Sequence, residues 1–157
     1  MTRLRGRAPR GRRLLAKAPH GHWRTTTMIS SVRLDGSTAC MTIEGATDTA
    51  VFQAYVREIL APSLRPGDIV IMDNLGPHKN EQTLALIAAA GASARFLPAY
   101  SPDLNPIEMM WSKVKALLRA SEARTVEELQ HAIAAALGQV RAQDAVGWFA
   151  ACGYNII

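Results

Sequence analysis

Apolar positions along the chain change period several times, and each change marks an element. From Trp23 to Leu34 the run WRTTTMISSVRL is rich in Thr, Val and Ile, residues that fit a pleated surface, so a strand is expected there. The Asp35-Gly36 pair is a hairpin-turn signal, and STACMTIE returns as a second strand. Asp48 can cap a helix whose apolar face includes Val51, Phe52, Tyr55, Ile59 and Leu60, with Pro62 as its stop. Pro66-Gly67 then turns the chain into DIVIMD, a short unbroken apolar run that suits a strand covered on both faces. Asn80 to Ala90 reads as a helix closed by Gly91, and ARFLP as another short strand. After the proline-stiffened loop AYSPDLNP, positions 107, 110, 111, 114, 117 and 118 are apolar at helical spacing. Thr125 and Glu128 form a capping box ahead of a helix repeating at Val126, Leu129, Ile133 and Leu137. Residues 141–157 read as a short helix and tail. This order predicts one layered α/β domain over residues 23–157, a mixed sheet flanked by helices. Residues 1–22, rich in Arg, Gly and Pro, read as an arm or extended hairpin.

Composition narrows the class. With 157 residues, 48% hydrophobic and 20% charged, the chain is an ordinary globular protein with enough length for a core. The net charge of +5 points to a polyanionic partner, and its distribution says more than its size. Residues 1–34 hold nine of the 18 basic residues and no acid, whereas the rest of the chain is mildly acidic. Arg3, Arg5, Arg7, Arg10, Arg12 and Arg13 are therefore the candidate phosphate contacts. Gly6, Pro9, Gly11 and Pro19 break the amphipathic helix that an organellar transit peptide needs. Cys40 and Cys152 have no metal-type spacing and make no disulfide framework, which fits a reduced, cytoplasmic compartment. No apolar stretch approaches the roughly 18 residues of a membrane span.

The candidate chemistry lies in two carboxylates, Asp73 and Glu108, with 34 residues between them. Asp73 closes an apolar strand, and the C-terminal ends of such strands are where open α/β sheets place their sites. Followed by Asn74 and Gly76, it also reads as a plain turn residue. Glu108 falls at the third position of a helix capped by Asn105 and opened by Pro106, where a glutamate supports the helix dipole. Together the two acids can offer hard oxygen ligands to Mg²⁺ or Mn²⁺, and paired ions of this kind drive in-line attack at phosphorus.

The segments LAPSLRPGDIVIMDNLGPHKN and FLPAYSPDLNPIEMMWSKVK, with GRAPRG and APHGHWRTTTMI upstream, resemble the mariner-related bacterial insertion-sequence transposases of the DDE superfamily. The resemblance runs over about residues 1–154. It implies a ribonuclease H-like fold, a three-carboxylate, two-metal site, and cutting and joining of DNA by a dimer or larger assembly. Asp73 then corresponds to the second catalytic acid and Glu108 to the third, with Asn74 and His78 shaping the site and Asn105 and Pro106 aiming Glu108. The family's first aspartate lies on a central strand before the GRAPRG region, and no acid precedes Asp35 here. The expectation is a domain that lacks its central strand and cleaves little DNA by itself.

Substitutes for the missing acid are poorly placed. Asp35, at the hairpin tip, lies roughly 25 Å from the active end, and Glu44 and Asp48 lie roughly 14 Å away on an edge strand. The rival readings are a non-enzymatic basic nucleic-acid-binding protein and a different phosphohydrolase completed by Glu44 or Asp48. His20-Gly21-His22 has no further metal ligand nearby, Trp111 belongs to an apolar stripe, and Lys113, Lys115 and Arg119 line an exposed helix face open to DNA phosphates.

Overall fold

The computed structural model describes residues 6–15 and 25–155. Residues 6–15 are exposed and turn once, where the Arg12 amide donates to the Pro9 carbonyl at 3.0 Å. Of the predicted arm contacts, Arg7, Arg10, Arg12 and Arg13 fall there, while Arg3 and Arg5 lie outside the described residues, as do His20 and His22.

Strands β1 (Thr26–Val32) and β2 (Thr38–Glu44) form an antiparallel hairpin with Thr26 opposite Glu44. Asp35 and Gly36 make the turn as expected. Ser37 donates to the Asp35 carboxylate from its amide and hydroxyl, which lowers the Asp35 pKa. Gly36 has φ +83, and a Cβ there would sit 2.5 Å from the Ala142 nitrogen. The turn therefore needs glycine twice, for its left-handed backbone and for its close approach to the helical layer.

Asp48 caps α1 (Thr49–Tyr55) by accepting from the Val51 amide at 2.8 Å. The helix does not stop at Pro62. It passes through a π-helical turn at Val56–Leu60 into α2 (Ala61–Ser63), and the chain becomes extended at Leu64. The widened turn shifts the hydrogen-bond ladder just where proline lacks a donor and its ring needs room.

β3 (Ile69–Met72) and β4 (Ser93–Phe96) pair in parallel, joined by a 3₁₀ turn at Gly76–Lys79 and α3 (Glu81–Ala89). A second 3₁₀ turn, Pro102–Leu104, leads to α4 (Pro106–Ser121). α5 (Val126–Leu137) opens with the predicted Thr125–Glu128 capping box, and α6 (Ala142–Ala151) follows.

Two apolar clusters form. One joins Phe52, Tyr55, Val56, Leu60, Met72 and Ile87, and the other joins Met110, Val114, Leu118, Ile133 and Ala136. β1 serves both: Ile29 packs on the first, Met28 and Val32 on the second, as a period of two requires. The expected single mixed sheet is not formed. β1–β2 and β3–β4 are separate two-stranded sheets, because no described strand joins β1 to β3.

Candidate functional site

The inner edges of the two sheets border one cavity of about 570 Å³. Residues 27–34 line one side, residues 68–73 the other, and Phe52, Tyr55, Ile107 and Trp111 come from the flanking helices. The two ends of this slot differ in chemistry.

At one end Arg33 and Asp68 close it. The guanidinium donates twice to the carboxylate, at 2.6 and 2.9 Å, and the Arg65 amide adds a third bond at 2.7 Å. The Arg33 hydrogen bond, helped by the Arg65 amide, holds the Asp68 pKa down at about 2.

At the other end stand Asp73, His78, Asn105, Pro106 and Glu108, all lining the cavity. Asp73 follows β3 directly, placed by a strand buried enough to fix its end. One carboxylate oxygen accepts from the Leu75 amide at 3.3 Å and lies 2.5 Å from His78 Nδ1. The turn role and a site role thus coexist in one side chain, which keeps 47% of its surface exposed. The His78 ring is held against Phe52, with centroids 4.3 Å apart. Asn74 is exposed and is the one predicted site-shaping residue that does not line the cavity.

Glu108 is aimed from the opposite layer. Asn105 caps α4, its side chain accepting from the Ile107 amide at 3.4 Å, and buried Pro106 opens the helix. The Glu108 carboxylate is exposed and has no hydrogen-bond or ion-pair partner among the described residues. It is free for a ligand at a helix N-terminus.

The preceding turn has a support the sequence reading did not find. Tyr154 donates its hydroxyl to the Leu104 carbonyl at 3.0 Å, stacks edge-on against Phe149, and has its pKa raised by burial. The only local signal was Gly153, which turns the chain back at φ +84 after α6.

Lys113 and Lys115 part company. Lys113 donates to the Asp144 carboxylate at 2.6 Å and to the Gln139 carbonyl at 2.8 Å, tying α4 to the α5–α6 junction. Lys115 and Arg119 are exposed on the same helix. Of the substitute acids, Asp48 is engaged as the α1 cap, and Glu44 lies on β2, the strand away from the cavity.

A scan of family models matches residues 1–130 to the DDE superfamily endonuclease model, a span that contains both carboxylates, the described arm and all of the slot's lining except Phe149 and Tyr154. The chain belongs to the DDE superfamily endonucleases. No curated protein matches it. Membership makes DNA the expected substrate class and a divalent metal the expected helper. The described residues do not form a finished metal centre, since no group of three or more His, Cys, Asp or Glu is set to hold an ion. Two carboxylates of this DDE-family chain line one cavity, and no third such ligand joins them among the described residues. Both cysteines are free, and among the described residues no helix is long and apolar enough to cross a membrane.

Proposed function

We propose that these 157 residues belong to the catalytic domain of a mariner-related bacterial insertion-sequence transposase, ribonuclease H-like in topology, and hold two of that family's three acids. Asp73 and Glu108 are the second and third acids, and their carboxylates supply two of the oxygen ligands for Mg²⁺ or Mn²⁺. His78, Asn74, Asn105 and Pro106 position them. The arm from Arg3 to Arg13 and Lys115 contact DNA phosphates without reading sequence, and the working form is a dimer on DNA. The observation that supports this most is that two acids from separate elements line one cavity in a chain of this family.

Nuclease chemistry needs the reacting phosphate held to a fraction of an ångström, which two acids achieve poorly. The 157-residue chain is accordingly expected to bind DNA and cleave little. The test is cleavage of labelled duplex in Mn²⁺, beside a version extended upstream by an apolar strand ending in aspartate. Cleavage by the extended protein alone, lost with Asp73→Ala or Glu108→Ala, supports the reading. Cleavage by the short chain that survives both substitutions rejects it.

A binding-only role has its own support, the exposed arm arginines and the absence of a three-ligand group among the described residues. It predicts salt-sensitive DNA affinity that Asp73→Ala leaves unchanged in either version, and no cleavage by the extended one.

A further inference from the structure

We infer that Tyr100 is a stacking platform for an unpaired nucleobase of DNA lying at the Asp73–Glu108 end of the slot. Tyr100 has a left-handed backbone, φ +58, and its side chain is fully exposed. The other non-glycine residue with positive φ among those described, Glu122, ends α4, where a left-handed turn is a common way to close a helix. Tyr100 closes no helix. A bulky side chain in this region carries strain that Gly or Asn largely avoids. The Tyr100 ring and hydroxyl make no ring contact or hydrogen bond among the described residues that offsets it. The fold gains nothing from an aromatic ring there.

Its place in the fold points to a ligand. β3 and β4 are parallel, so their C-terminal ends leave the sheet together. The Leu97 amide donates to the carbonyl of Met72, the residue before Asp73, at 2.8 Å. From Leu97 the chain runs to Asn105, the cap of α4, and so to Glu108. Tyr100 stands on this connection between the two acids. Three residues span at most roughly 10 Å, about three base steps of a stacked strand, so Tyr100 lies that close to Leu97. The connection is held at several points. The Leu104 amide donates to the Ser101 carbonyl at 3.2 Å, the Ser101 hydroxyl to the Ala99 carbonyl at 3.4 Å, and the Tyr154 hydroxyl to the Leu104 carbonyl at 3.0 Å. Pro98 and Pro102 fix φ on either side. A ring on so constrained a loop loses little freedom when it binds.

Chemistry selects a base. Asp73, Glu108 and the exposed Asp103 on the same loop repel DNA phosphates wherever no cation stands between. A strand entering here is better held by a contact that carries no charge. An aromatic face provides one, because every base has a π face and stacking on it tolerates any sequence. Within a duplex both faces of a base are covered by its neighbours. The ring therefore takes a base at a single-stranded end or one turned out of the helix. That DNA lies at this end rests on the reading of Asp73 and Glu108 given above, whereas the exposure and strain of Tyr100 do not.

The test measures binding of the 157-residue chain to three fluorescent DNAs: a blunt duplex, the same duplex with a three-nucleotide single-stranded end, and that end made abasic. The parent should bind the overhang about tenfold more tightly than the blunt or abasic forms, the scale of one stacked base. Tyr100→Phe should keep this preference and Tyr100→Asn should abolish it. Asn accepts the left-handed backbone, so Tyr100→Asn should melt at or above the parent temperature. Melting below it would show that the ring supports the fold, and would overturn the inference. The abasic DNA leaves the protein unaltered, so a misfolded variant cannot obscure the result. Equal affinity of the parent for all three DNAs also overturns the inference, as does a preference that survives in Tyr100→Asn or with the abasic end. So does sedimentation showing a parent dimer that Tyr100→Asn dissociates, which gives the ring to a second copy. Mn²⁺ should tighten all three complexes, an effect lost with Glu108→Gln. Overhang preference without that Mn²⁺ effect keeps the stacking ring and removes the metal roles of Asp73 and Glu108. The Mn²⁺ effect without the preference does the opposite.

Discussion

The two ends of the slot are built from the same strands and hold opposite kinds of acid. Asp68 receives three hydrogen bonds, and its charge is committed to holding β1 against β3. Asp73, at the far end of β3, keeps about half its side chain in solvent, and Glu108 has no partner among the described residues. A carboxylate that stabilises a fold is satisfied within it. One that serves a ligand keeps oxygen lone pairs open to solvent, where an ion can take the place of water. Substitutions at the closed end should therefore damage stability, and those at the open end should damage function.

The largest effect is expected at Gly36, beyond the closed end. Gly36→Ala meets both a left-handed backbone and a 2.5 Å approach to the Arg141–Ala142 peptide. A loss of about 3 kcal/mol in urea unfolding is expected. A loss under about 1 kcal/mol would mean that the hairpin tip shifts freely away from the α5–α6 junction.

Next comes the clasp itself. The pair is partly exposed, so Asp68→Asn should cost only about 1 kcal/mol at neutral pH. Its pH signature is sharper. Asp68 has a folded pKa near 2 against an ordinary 3.8, so its contribution is complete above 3.8 and lost as the pH falls toward 2. Thermal melting of the parent should drop through that window, and the drop should be smaller in Asp68→Asn. Equal slopes in both proteins would place the acid sensitivity elsewhere.

What the sequence made legible follows from range. The Asp35-Gly36 turn, the Asp48 and Asn105 caps and the Thr125–Glu128 box are decided by residues within a few positions, and each was readable. The apolar seam of α4 was readable as well, because period and burial coincide at Met110, Val114 and Leu118. Pro62 misled, since a proline reads as a stop while the π-helical turn before it is set by packing of Val56 and Leu60. The division into two sheets depends on which strand edges find partners, a property of the whole assembly. Lys113 looked open to DNA because Asp144, its partner, lies 31 residues away. For the site, the two carboxylates and their neighbours were legible as motifs. The hold of Tyr154 on Leu104, spanning 50 residues, was not.

That contact offers a smaller and more discriminating test. Tyr154→Phe keeps the ring against Phe149 and removes one hydrogen bond, at a cost of about 1 kcal/mol. Because the turn at Pro102–Leu104 feeds α4, Mn²⁺ binding should weaken along with stability. Unchanged Mn²⁺ binding in a destabilised Tyr154→Phe protein would restrict the tail to a packing role.

The smallest stability effect is expected at Glu108. Its carboxylate makes no hydrogen bond or ion pair among the described residues, and its only structural gift is charge in the first turn of α4. Glu108→Gln should change unfolding free energy by no more than about 0.5 kcal/mol while abolishing Mn²⁺ binding. The same charge removal at Asp68 should do the reverse, lowering stability and leaving Mn²⁺ binding intact. Two glutamine- or asparagine-type substitutions at opposite ends of one slot thus separate the fold's carboxylate from the site's. If Glu108→Gln proved as destabilising as Asp68→Asn, the freedom of that carboxylate would be lost, and with it the reason for assigning the open end to chemistry.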